Sequence, residues 1–219
     1  LTNENINYVI SLVTFAVLYY LYTSKKINFL ASVIIFTPLI LTFTIDSSTT
    51  KLGILLYIML FLFLKYFKLK KLSVKLFFTY LISVIAILFF QIQKLFKWLI
   101  VDILKEDITL HNRTTVWEIA ISELNKSPIF GFGYDIQIYK YNYISRVTNG
   151  YFSHTHNEIL EILIRSGFIG LTLFLIFLFG ISLKVDAINS KYKNLLIPTL
   201  FVYMIMSISE TVFTQYFYI

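Results

Sequence analysis

Of the 19 lysines and arginines in this chain only Arg113, Arg146 and Arg165 are arginine, and all three fall in one stretch between residues 110 and 166. Arginine carries a planar fork of N–H donors that matches the oxygens of a phosphate or diphosphate, a geometry the compact lysine ammonium lacks. In the same stretch His156 is followed by Asn157. A histidine, with an ordinary pKa of about 6.5, can take a proton from an attacking hydroxyl. Anion binding by the arginines and proton abstraction by His156 is therefore the chemistry these residue types support. Glu158 and Glu161 compete for the base role, although on a helix both lie away from His156, with Glu161 placed four residues before Arg165 for an ion pair. His154-x-His156, with His111 elsewhere, could hold a divalent ion if the chain before the helix is extended. Without a fixed third ligand the pair does not define a metal site, so no metal and no cofactor is expected.

These side chains need elements to position them. A helix starting near His156 or Asn157 puts Leu163, Gly167 and Gly170 within roughly 40° of His156 at about 100° per residue. The two glycines would let another helix approach closely, and His156 would stand roughly 16 Å beyond Gly167 at about 1.5 Å per residue. Upstream, Asn112 to Asn125 reads as a helix with Val116, Ala120 and Leu124 on one face beside Trp117 and Ile121, and with Thr115 and Glu118 spaced as a capping box. Pro128, Gly131 and Gly133 then end it. From Tyr134 to Phe152 no period is evident, and an ordered loop is expected. Its tyrosines Tyr134, Tyr139, Tyr141, Tyr143 and Tyr151 could stack on a ligand's rings or sit at a membrane interface, but with 16 tyrosines in the chain most reflect background abundance.

The wider chain is a membrane protein by composition: 58% hydrophobic and 14% charged over 219 residues, against about 25% charged in a soluble domain. Apolar runs at 6–23, 28–45, 52–67, 74–90, 167–183 and 195–212 are continuous rather than alternating, which favours helices over a barrel. The expected fold is all-α: a polytopic transmembrane bundle of about six spans with one large external loop containing short helices. Its divisions would be four spans over 1–90, the external loop over 91–155, and two further spans over 156–219. Lysines concentrate near residues 25, 70 and 188, which assigns those loops to the cytoplasm and the long segment to the outside. The net charge of +7 thus reports topology, and no nucleic-acid partner is expected. Gln91 to Glu106 continues the fourth span as an amphipathic piece with Trp98 at the interface. Glu210, inside the last apolar run, should face a cavity or a partner. The chain starts at Leu1, and Leu1 to Tyr8 lacks the basic start of a signal peptide; a fragment lacking N-terminal spans is expected.

The spacing of His156 and Asn157, nine residues, then Gly167-x-x-Gly170, together with Arg113-x-x-x-Trp117 and Pro128-x-x-Gly131-x-Gly133, resembles the O-antigen ligase and polymerase family of bacterial membrane glycosyltransferases. The resemblance covers about 110 to 185. This chain differs in having Asn112 where members often carry glycine and Arg165 where an acidic residue is common. The resemblance implies a multi-pass enzyme of the inner membrane, its catalytic loop on the periplasmic or external side. It would move a glycan from a polyprenyl diphosphate donor to a hydroxyl of lipid A core or of another lipid-linked repeat unit. Arg113, Arg146 and Arg165 would then bind the diphosphate, whose developing negative charge they stabilise, and His156 would activate the acceptor. Trp117, Pro128, Gly131, Gly133, Asn157, Gly167 and Gly170 would shape the motif. No Asp-x-Asp occurs, and Asp102, Asp107 and Asp135 are scattered, which argues for metal-independent transfer. The alternative reading is a transporter or flippase for a lipid-linked or anionic substrate, and a third is a non-catalytic assembly subunit.

Overall fold

The helices of this protein begin and end where its apolar runs meet polar or left-handed residues. The computed structural model describes residues 48–67, 71–103, 112–133, 154–188 and 193–212, and among these all regular structure is helical. We label the helices α1 (Ser48–Tyr66), α2 (Leu72–Phe90), α3 (Arg113–Leu124), α4 (Glu158–Ala187) and α5 (Lys193–Met206). The expected spans at 6–23 and 28–45, the loop from Tyr134 to Phe152, His111 and Arg146 lie outside the described residues. Among the described helices α2 and α4 are long and apolar enough to cross a membrane; α1 and α5 contribute shorter apolar stretches. At 14 residues, with Pro198 inside, α5 falls short of the roughly 17 residues a crossing needs.

The chain groups into two compact units, one of Leu1–Ser73 with Lys184–Met206 and one of Val74–Leu183 with Ser207–Ile219. In the first, α1 meets α5 at Gly53, where a side chain would stand 3.0 Å from the Met206 sulfur. Asp186 ties the same unit together, accepting the Ser73 N–H at 3.0 Å and, through its carbonyl, the Lys193 ammonium at 2.6 Å. In the second, Phe77 of α2 packs on Phe179 of α4 with ring centroids 5.5 Å apart. Buried Tyr80 reaches the Ser207 hydroxyl at 2.9 Å. Phe78, Ile82 and Phe89 of α2 and Leu173, Ile176 and Phe177 of α4 are exposed, the surface that a lipid-facing helix presents.

The segment after α2 departs from the amphipathic continuation expected of it. Gln91 takes a left-handed φ of 48° and stops the helix, and the chain goes on as a 3-10 turn over Ile92–Phe96 and a π-helical turn over Trp98–Ile103. The capping box at α3 does not form either. Asn112 precedes the helix at φ 64° with no side-chain cap, and Glu118 instead takes a hydrogen bond from Gln91 Nε2 at 3.1 Å. The predicted face holds except at Ile121: Val116, Trp117, Ala120 and Leu124 are the buried residues of α3, while Ile121 is half-buried.

The glycines of α4 do a different job from the expected helix–helix contact. Gly167 leaves the helical region entirely (φ 63°, ψ −162°) and breaks α4. The turn from Pro128 to Gly133 is spliced into the break. Phe132 and Gly133 donate their N–H groups to the carbonyls of Ile164 and Arg165 at 2.7 and 2.9 Å, and the carbonyls of Pro128 and Ile129 accept from Phe168 and Ile169 at 2.8 and 3.3 Å. Four backbone groups orphaned by the break are thereby satisfied, as a buried helix end requires. A Cβ on Gly131 or Gly167 would stand within 2.6 Å of the other strand of backbone, so only glycine fits the crossing. Gly170 makes room within its own helix, for the Ser166 side chain, whose hydroxyl donates to Ile162 O at 2.9 Å. Because His156 sits before the helix at φ 51° and the helix is interrupted at Gly167, the single helical face expected to join His156 to the two glycines does not exist.

Candidate functional site

Three segments of the second unit converge: the start of α3, the residues leading into α4, and residues 207–212 after α5. Asn157 caps α4, its Oδ1 accepting the Leu160 N–H at 3.0 Å, as an N-cap asparagine should. Its Nδ2 donates to the Ile208 carbonyl at 2.9 Å. Next to it the Glu158 N–H reaches Ser207 O at 2.9 Å, and the Glu158 carboxylate accepts from Val212 N at 2.6 Å. The segment after α5 is thus stitched to the head of α4. Thr155 is clamped from two sides: Trp117 Nε1 donates to its carbonyl at 2.9 Å, and its N–H donates to Glu161 Oε2 at 2.9 Å. Thr155, Asn157, Glu158 and Glu161 are all buried, where a polar group losing its partner costs about 1–3 kcal/mol. That cost fixes the backbone on which His154 and His156 are carried.

The stitching brings Glu210 to His156. Glu210 Oε2 lies 3.0 Å from His156 Nδ1, and its other oxygen accepts from Arg113 Nη2 at 2.7 Å. Arg113 also donates through Nη1 to the Ser209 carbonyl. Burial pushes the Glu210 carboxyl up, but the His156 hydrogen bond and the charges of Arg113 and the two histidines outweigh it and hold the group below its ordinary value. Glu210 is therefore a carboxylate, an acceptor only, and the proton between it and His156 belongs to Nδ1. His154 packs against His156 with ring centroids 4.0 Å apart and the ring planes tilted by 39°. Its pKa is lowered to about 4, by burial first and by His156 and Arg113 next, against the opposing pull of Glu161 and Glu210. With Nδ1 engaged, the lone pair of His156 is on Nε2, the arrangement in which a carboxylate orients an imidazole base.

Residues 30–175 match the O-antigen ligase family. The chain belongs to that family. Its members are bacterial integral membrane enzymes of the glycosyltransferase type that act on lipid-linked glycans. No curated protein and no solved structure matches the chain significantly. The match reaches well upstream of residue 110, into spans that hydropathy alone had suggested, and it ends before Glu210.

Within this O-antigen ligase-family chain, Arg113, His156 and Asn157 come together around residues 208–210, and Trp117 joins them through the Thr155 carbonyl. Pro128, Gly131, Gly133 and Gly167 form the splice below them, with Gly170 one turn further along α4. Arg165 turns back onto its own helix, its Nε and Nη2 at 2.7 and 2.6 Å from Glu161 Oε1, which is the pairing its spacing predicted. Glu158 is buried, and its carboxylate accepts from the Val212 amide. Glu210 is not inside an apolar helix: α5 ends at Met206, and Glu210 lies in the turn beyond it. The expectation that Glu210 faces a partner holds, through Arg113 and His156, while its placement inside a span does not. The usable signal was the run Ser207, Ser209, Glu210, Thr211, in which polar residues interrupt the hydrophobic pattern.

Proposed function

We propose that this protein transfers a glycan from a polyprenyl diphosphate carrier to an acceptor hydroxyl, on lipid A core or on another lipid-linked repeat unit, at the outer face of the inner membrane. Arg113, with help from Arg146 or Arg165, binds the diphosphate. His156 Nε2 takes the acceptor proton as the acceptor oxygen bonds to the sugar carbon; the carbon–oxygen bond to the carrier breaks, and the carrier diphosphate leaves with the electron pair. The arginines stabilise the charge that develops on it, so the residues supply the transfer without a metal.

The observation that carries this reading is the bridge made by Glu210. One carboxylate holds Arg113 on one oxygen and His156 on the other, so the anion-binding group and the base, 43 positions apart in the chain, are fixed relative to each other. Family membership favours transfer over transport. In full-length protein, His156→Ala should lower glycan transfer from a lipid-linked donor about 10²- to 10⁴-fold, the span of general base catalysis. Turnover equal to wild type would remove His156 from the chemistry.

A further inference from the structure

His154 has no part in that transfer, yet it is held against the base by the same clamp on Thr155. His154, His156 and Glu210 each offer one ligand atom, and these atoms all lie within 4.8 Å of one another. Two imidazoles and a carboxylate, leaving a coordination position open, are a known donor set for zinc, and nitrogen donors disfavour the hard ions magnesium and calcium. Glu210 supplies the third ligand that the His-x-His spacing lacks by itself. Arg113 on Oε1 leaves Oε2 for an ion, matching the outer hydrogen bond that ligating carboxylates commonly receive.

We propose that His154, His156 and Glu210 form a binding site for a borderline-soft divalent ion of the zinc type, and that its occupancy switches transfer off. The ion takes His156 Nδ1 and Glu210 Oε2 in place of the hydrogen bond between them. The displaced Nδ1 proton moves to Nε2. The nitrogen that faces the acceptor becomes a donor and can no longer accept a proton. This regulation rests on the reading of His156 as the base; the binding site itself does not.

The test uses full-length protein purified in detergent, stripped with EDTA and titrated with cobalt(II), whose visible absorption reports nitrogen and oxygen ligation without turnover. One equivalent should bind and be displaced by zinc. His154→Ala should weaken cobalt binding at least about tenfold, and should raise the zinc needed to halve the variant's own transfer rate by a similar factor. His154→Cys, which exchanges one ligand for another, should retain the ion and add a sulfur-to-cobalt charge-transfer band, so the test survives an alanine variant that fails to fold. Absence of stoichiometric cobalt binding in wild type, or unchanged affinity in His154→Ala, overturns the site. The two readings fail separately: wild type that binds cobalt while His156→Ala keeps full turnover overturns the switch and the base together, whereas loss of turnover in His156→Ala with no cobalt bound by wild type overturns only the metal site.

Discussion

The two halves of α4 are built on opposite rules. From Glu158 to Ile164 no residue is more than 8% exposed, and two of the seven are carboxylates at 0%. Past Gly167 one face of apolar side chains turns outward, with Leu173, Ile176 and Phe177 between 60% and 63% exposed. In water this helix would be inside out, since glutamate is almost never fully buried unless paired. The upper half tolerates its charges because they have donors: Val212 N for Glu158, and Thr155 N and the Arg165 guanidinium for Glu161. The lower half needs no partner, because its solvent is hydrocarbon. One half is specified by partners and the other by composition.

Substitutions in each half test that contrast. The largest effect is expected at the join. Gly167→Val puts a branched side chain at φ 63° with Ile129 O 2.2 Å from its Cβ, and strain plus overpacking should cost about 4 kcal/mol, seen as a large fall in the thermal midpoint in detergent. An unchanged midpoint would mean the splice is not rigid. Leu173→Arg, in the outward-facing half, should raise the free energy of membrane insertion by about 3 kcal/mol. In a glycosylation-based insertion assay, full insertion would place that face in protein or water instead of lipid. In the upper half Glu161→Gln keeps the shape but leaves Arg165 without its counter-charge. A loss of about 1–2 kcal/mol is expected in denaturant titration, while a neutral result would show that the clamp needs only an acceptor oxygen. Phe177→Leu, an outward apolar exchange, should change stability by no more than about 0.5 kcal/mol; a larger loss would reveal a protein neighbour on that face.

The same division decides how much could be read from sequence. Where composition rules, runs at 52–67 and 74–90 foretold α1 and α2 to within a few residues. Helix α3 and its buried face were legible too, because a 3.6-residue period reports which side meets protein. Where partners rule, spacing carried less. The Glu161–Arg165 pair is local and was foreseen. Glu210 is 54 residues from His156, and a window of averaged hydropathy absorbed it into a span. The glycine pattern was legible as a constraint but not as a shape, because Gly131 and Gly167 answer to each other's backbone across the splice.

The left-handed backbone at His156 (φ 51°) narrows which sequences this corner can evolve through. Glycine, asparagine, aspartate and histidine enter that region most readily, and of these only histidine ordinarily titrates near neutrality. Saturating position 156 should therefore sort variants twice. Glycine, asparagine and aspartate would give folded protein, most other residues would strain the entry to α4, and histidine alone would satisfy both the bend and the proton transfer.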